Sequence, residues 1–344
     1  MSAALEVVAA GPSLTVQDAG RPGLQRYGIT QGGAMDAVAM AEGAVLLGQE
    51  PTLAAIEMAG FGGKFRACGG PLRIALTGAA MRARLDGQDQ PWNTSLTLEP
   101  DALLEIGAAD DGAYGYLHVG GGFATPEQIG SRSTHLRSAI GGLEGRALRE
   151  GDQLPVGEDR GGRTGMVLPR GKRIGQREIR VLWGVQADAF SQDERERFLA
   201  IDFDMTTRRD RQGARLKPQG EPFHAESALT GVSDAVVLGD IQVPGDGLPV
   251  ALLADRQPTG GYPRIATVIS ADLAALVQIP GHARFGFRLV EEEEALAALR
   301  AQRREIAELS RQMRALVRDP RDMGNLLAFN LVDGVISARE EETS

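Results

Sequence analysis

Short runs of apolar and β-branched residues recur along the chain, with glycine, proline and aspartate between them. They are Leu72–Leu76, Leu103–Ile106, Tyr114–Val119, Ile179–Trp183, Ala235–Leu238, Leu248–Leu253 and Ile265–Ile269. Runs of this length bounded by turn formers predict strands in both halves. The alternation is clearest from Arg284 to Leu289, where Phe285, Phe287 and Leu289 share one face and the arginines take the other. A period of two predicts a half-buried strand there.

Helical patterning is sparser. Asp36 is placed to cap a helix running through Val38, Val45 and Leu46 to Gly48, with Pro51 beyond. A second helix is expected from Ala271 to Ile279, opened by Ser270 with Asp272 in its first turn and stopped by Pro280-Gly281. After Glu291–Glu294, the positions Leu299, Ile306, Leu309, Met313 and Leu316 follow an a/d spacing, with arginines concentrated toward the far end. This predicts a helix of about 24 residues from Ala295 to Val317, its acids and arginines suiting the helix dipole. Its apolar stripe either packs on its own domain or forms a seam with another chain, and Gln302 at a d position weakens the seam.

A chain of 344 residues exceeds one ordinary core, for which roughly 100 to 200 residues per domain is usual. The stretch 157–176 carries little apolar material and reads as a surface connection. We therefore expect a β-rich domain over 1–160, a second over 177–290 and a helical extension over 291–344. The 45 glycines agree with many tight turns. The fold class is mainly β, with a few short helices and one long C-terminal helix.

Charge and composition narrow the function. A net charge of -9 without any Lys/Arg-rich block gives no footprint for nucleic acid. Neither a charged-then-apolar leader nor an apolar run near ~20 residues is visible, so a cytoplasmic protein with no membrane contact is expected. Only Lys64, Lys172 and Lys217 are lysines, which leaves recognition of carboxylate or phosphate mainly to arginine. The lone Cys68 excludes an internal disulfide and reads as structural. His118, His135, His224 and His282 are dispersed, so no metal site is expected, and His118 reads as a hydrogen-bonded strand histidine.

Standard signatures fail on inspection. Gly62-Gly63-Lys64-Phe65 ends in Phe where a phosphate loop needs Ser or Thr, and Gly130-Ser131-Arg132-Ser133 lacks the closing glycine of a nucleophile elbow. What remains is a series of turn-like segments. Gly260-Gly261 would let the backbone approach a ligand and present N–H donors, with Asp255, Gln257 and Thr259 around it. A self-satisfied polar hairpin is the other reading. Arg209, Arg211 and Arg215 could clamp an anion bidentately or sit in solvent. Arg132, between Ser131 and Ser133 with Thr134 next, could bind a ligand or cap the following structure.

Taken in order, Gln17-Asp18-Ala19-Gly20-Arg21, Gly33-Ala34-Met35-Asp36, Gly130-Ser131-Arg132-Ser133-Thr134, Gly151-Asp152, Ile241-Gln242-Val243-Pro244 and Asp255–Pro263 resemble the allophanate hydrolase subunit 2 family, also called biotin-dependent carboxyltransferase-like. The resemblance runs from about Leu5 to Glu294. Pro258 departs from it, standing where a threonine is expected, and so removes a hydroxyl and fixes φ. The resemblance implies two domains related to the cyclophilin-like barrel, a cleft between them and a subunit 1-type partner.

It further implies the C subunit of an ATP-dependent 5-oxoprolinase, which with that partner and a third subunit opens the lactam of the small molecule 5-oxoproline to glutamate. The nucleotide's location is left open. Carboxyl transfer from carboxybiotin to urea or a similar amide is the rival, with the biotin on another chain because none of the three lysines follows a Met. A regulatory subunit antagonising an inhibitor of a histidine kinase is a third. For the leading reading, Arg132, Arg211 and Arg215 are candidates to hold a carboxylate or phosphate, with Ser133, Thr134, Gln242, Gln257, Thr259 and Tyr262 also binding substrate. The Gly260 and Gly261 amides would face oxyanion charge and Asp255 would orient water or act as base. The loops Gly130–Thr134 and Asp255–Pro263 are expected to face one cleft.

Overall fold

The computed structural model describes residues 3–225 and 233–316. The first half folds around a long antiparallel pair, Leu72–Leu85 against Leu103–Val119. The expected runs Leu103–Ile106 and Tyr114–Val119 are two ends of one strand. The Gly-Ala-Ala-Asp-Asp-Gly stretch between them looks like a turn, but register shifts between Gly78 and Ala83 let the pair bend without breaking. Nine further strands complete an eleven-stranded sheet.

Helix α1 (Ala37–Leu47) packs on this sheet. Asp36 caps it, accepting from the Val38 and Ala39 amides at 3.0 Å, and Gly48 ends it in the left-handed conformation. The helix lies so close to the long strand that a Cβ on Gly43 would stand 2.3 Å from the His118 ring. That ring is buried and its Nε2 shares a 2.8 Å hydrogen bond with the Thr77 hydroxyl.

In the second half seven strands close a barrel: Glu178–Trp183, Asp202–Arg209, Gly213–Pro218, Asp240–Gln242, Val250–Leu252, Arg264–Val268 and Arg284–Leu289. Its first and last strands pair in parallel and close the ring. Phe285 and Phe287 point inward as their alternation predicts. With Phe198 from helix α2 (Gln192–Ala200), Phe203 and Phe223, they form an aromatic core. The Ala271–Ile279 segment is a 3-10 turn followed by helix α3 (Leu273–Gln278). Ser270 does not cap it, and Asp272 instead binds Arg180 at 2.6 Å and 3.0 Å.

The two halves are not separated by solvent. One apolar cluster runs from Met35, Ala39, Met40, Tyr114 and Tyr116 of the first half into Leu253, Val277 and Ile279 of the second. The connection expected at the surface is partly built in. Met166–Val167 joins the first sheet, and the Arg173 side chain is buried against Asp36 and Glu42. The C-terminal helix is shorter than its pattern predicts: α4 (Glu292–Ala307) and α5 (Leu309–Gln312) are followed by Arg314–Ala315, which pairs with Met166–Val167. Gln302 donates to Ala271 O and Met313 packs on the cluster of Leu46, Leu47, Ala75 and Leu168, so the extension contacts its own chain at these two points, while no residue of α4 or α5 is fully buried and Leu316 is exposed. Val317 and the rest of the extension lie outside the described residues.

Two stability outcomes follow. Gly43→Val should lower the melting temperature, with a cost of about 1–3 kcal/mol or more in denaturant unfolding, because neither ring nor helix backbone can retreat. Burial holds the His118 imidazole down to about 3, against about 6.5 in an unfolded chain. As pH falls below the unfolded value, the unfolded chain takes up a proton that the native one refuses. Stability should therefore drop by about 1.4 kcal/mol per pH unit over that window. His118→Gln should flatten this dependence in unfolding measured between pH 7 and pH 4.

Candidate functional site

The residues that join the halves also frame a cleft. Arg211 sits in the turn between barrel strands Asp202–Arg209 and Gly213–Pro218, where Asp210 accepts from the Gln212 and Gly213 amides at 2.7 Å and 3.1 Å. Its guanidinium is buried. Nε and Nη2 donate to the two Asp255 oxygens at 2.9 Å each, Nη2 also to Gly33 O at 2.6 Å, and Nη1 to Glu57. Glu57 belongs to a strand of the first sheet, and its other oxygen accepts from the Met35 amide and the Tyr116 hydroxyl, both at 2.7 Å. Tyr116 in turn accepts from the Asp36 amide, and Asp36 accepts from Arg173 at 2.7 Å and Gln278 at 2.8 Å.

Burial alone would lower the Arg211 pKa, but Glu57 and Asp255 more than offset it and the guanidinium is raised. Burial, reinforced by Glu57 and Asp36, raises the Tyr116 phenol well above its usual value. The phenol therefore keeps its proton and donates it to Glu57.

Beside this network lies a cleft of about 900 Å³, lined by Tyr114, His135, Arg137, Arg209, Arg211, Gln212 and Asp255 among others. It shares His135, Arg137, Gln212 and Asp255 with a neighbouring chamber of about 460 Å³ bounded by Arg21, Thr30, Ile140, Arg256 and Gln257. Arg137 of the first half donates to Gln212 of the barrel at 3.3 Å. His135 Nδ1 accepts from the Ser138 amide at 3.2 Å, so a neutral ring carries its proton on Nε2. Arg209 donates to Val277 O and Ile279 O, both at 2.7 Å, at the end of α3 and covers the Tyr114 ring.

The sequence-predicted residues divide among several places. Asp255 and Arg211 do reach the cleft, but each holds the other. Both Asp255 oxygens accept from Arg211, which also donates to Glu57 and Gly33 O of the first half, so Arg211 is an interdomain tie oriented by Asp255, and the two are not a free base beside an open anion fork. Arg132 points elsewhere, donating to Thr125 O at 2.8 Å and pairing with Glu127 at 2.5 Å. Ser133 is spent on Asp18 and Thr134 on Val16 O. The loop Gly130–Thr134 is thus a scaffold held by Asp18, and the residues immediately after it line the cleft.

Arg215, Gln242, Gln257 and Tyr262 share a shallower groove of about 300 Å³ on the barrel, where Arg215 pairs with Asp246. Gln257 lines both this groove and the chamber. Thr259–Gly260 forms a short ladder with Asp234–Ala235. A Cβ on Gly260 would meet Gln242 Nε2 at 2.5 Å, whereas one on Gly261 has only Ser233 at 4.0 Å. Gly260 is thus the more closely approached of the two, by the end of the Gln242 side chain. His135, Arg137 and Gln212 escaped sequence reading. Their one signal was proximity, since His135 directly follows Thr134, Arg137 stands two residues further on, and Gln212 lies within a segment already singled out.

The family described as carboxyltransferase domain, subdomain A and B, matches residues 27–289. The chain belongs to that family. The resemblance carried by the ordered motifs is thereby borne out. Within the carboxyltransferase family the chain is similar to the C subunit of 5-oxoprolinase from Haemophilus influenzae, 37% identical over 82% of this chain and 89% of that one. It is also similar to the C subunit of 5-oxoprolinase from Escherichia coli, 35% identical over 89% of this chain and 97% of that one. The solved urea amidolyase of Kluyveromyces lactis shares the fold, with a TM-score of 0.80 at 24% identity over 92% of this chain. The chain spans 21% of that much longer protein.

If Arg211 is a tie, Arg211→Met should cost about 3–5 kcal/mol in denaturant unfolding, since it strands two buried carboxylates. Adding Glu57→Gln and Asp255→Asn should recover part of the loss. An Arg211 that serves only as a substrate fork would leave stability unchanged.

Proposed function

We propose that the chain is the C subunit of a 5-oxoprolinase, opening the lactam of 5-oxoproline to glutamate with a subunit 1-type partner and a third subunit. The observation that carries this is its similarity to two proteins so named over nearly their whole lengths. The geometry suits the reaction class. A small anionic amide needs donors for its carboxylate and for the carbonyl oxygen that gains charge, a few ångströms apart. The cleft offers Arg137, the His135 Nε2–H and Arg209 on walls that the Arg211 tie holds in register.

In this reading the complex consumes ATP, and this chain's residues bind and orient the lactam. The one sequence resembling a phosphate loop is not available for nucleotide, because Lys64 lies in a strand and pairs with Glu105 at 2.6 Å. Among the described residues no helix is long and apolar enough to cross a membrane.

Carboxyl transfer is the second reading, favoured by the family description and by the fold shared with urea amidolyase. It needs biotin on another chain. The two separate in one assay. The chain reconstituted with its partner subunits should release glutamate from 5-oxoproline only when ATP is present, and the chain alone should release none. ATP-dependent carboxylation of urea with a biotinylated carrier, without glutamate release, would sink the 5-oxoprolinase reading.

A further inference from the structure

Besides Arg173, whose side chain pairs with Asp36 and Glu42, four arginines among the described residues are buried: Arg21, Arg211, Arg256 and Arg264. Arg211 is neutralised by Glu57 and Asp255, and Arg264 by Asp234 and Asp240. Arg21 and Arg256, 3% and 6% exposed, form no ion pair with a carboxylate among the described residues. Both line the chamber that shares four lining residues with the cleft.

Their hydrogen bonding is also incomplete. Arg21 donates from Nε to Gln128 O at 3.0 Å and from Nη2 to Ser131 O at 3.3 Å and Ser133 O at 2.9 Å, all neutral carbonyls. Arg256 reaches Val236 O only at 3.5 Å and the Gln25 side chain only at 3.4 Å, and its buried Nη1 has no partner. Burial pulls both guanidinium pKa values down, opposed by Asp18 and Asp255 for Arg21 and by Asp240 for Arg256. Even so, an arginine stays protonated at physiological pH. A buried cation without a counter-ion is costly, and proteins normally supply one. The nearest chamber carboxylate, Asp255, is already held on both oxygens by Arg211.

We propose that the chamber is an oxyanion site in which Arg21 and Arg256 bind a carboxylate or phosphate group of a small ligand. Thr30 and Gln257 lie beside that group, and Ile140 and Pro258 supply an apolar wall for a compact ligand body. The chamber volume of about 460 Å³ admits a metabolite, not a polymer. Because the chamber and the cleft share His135 and Arg137, an anion anchored here stands beside those donors. Choosing 5-oxoproline as one probe rests on the proposed function, whereas the site itself does not.

Thermal unfolding and calorimetric titration of the full chain and its Arg256→Met and Arg256→Lys variants test this. The probes are 5-oxoproline, the uncharged lactam 2-pyrrolidone, and inorganic phosphate. Without ligand, Arg256→Met should melt no lower than wild type, since it removes an uncompensated buried charge while nearly keeping volume. A residue serving structure alone would lower the melting temperature. A rise with 5-oxoproline but not 2-pyrrolidone identifies a carboxylate as the bound group, and a rise with phosphate identifies that source. In either case Arg256→Met should bind at least about tenfold more weakly, with partial retention in Arg256→Lys. Binding of equal strength in wild type and Arg256→Met, no binding of either anion, or a ligand-free melting temperature that falls in Arg256→Met overturns the site. Phosphate binding with no glutamate release from the reconstituted complex would retain the site and reject the 5-oxoprolinase reading.

Discussion

The contact between Arg211 and the carboxylates of Glu57 and Asp255 is the constraint around which the two halves are arranged. A guanidinium buried this deeply is tolerated only because two carboxylates and the Gly33 carbonyl meet it, and those groups come from three distant parts of the chain. The same requirement passes onward through Tyr116 and Asp36 to Arg173 and Gln278. The resulting polar seam runs beside the shared apolar cluster and permits essentially one relative placement of sheet and barrel. Apolar burial holds the halves together, and the directional bonds set their register.

The cleft is a consequence of that register. Its walls come from the sheet, the loop after Thr134 and the barrel turn at Asp210–Gln212, and none of them encloses a volume alone. The loop is stiff because Asp18 accepts from Ser131 and Ser133 hydroxyls and from the Arg132 amide, all at 2.6 Å. Rigid support of this kind places donors without ordering cost when a ligand arrives. The residues most conspicuous in the sequence therefore build the support, and less conspicuous neighbours line the cleft.

This explains where sequence reading succeeded and failed. Strand and helix patterns depend on local burial periodicity, so Phe285 and Phe287, the Asp36 cap and the Gly48 stop were legible. The merger of Leu103–Ile106 with Tyr114–Val119 was not, because a bulged strand crosses residues that read locally as a turn. The C-terminal helix was read too long for a similar reason: its a/d spacing continues past Gln312, but the backbone there is captured by the edge strand Met166–Val167.

By itself the sequence determined the fold class, the main periodic elements, the family and the segments from which a site is assembled, since all of these rest on local pattern or ordered motifs. Only the tertiary structure decided which arginine does what. Arg132, Arg211, Arg215, Arg21 and Arg256 are chemically identical along the chain. What distinguishes them is whether a carboxylate stands within a few ångströms, and those carboxylates lie as far as 154 residues away in sequence. Charge pairing is a property of distance in space, which no local pattern encodes.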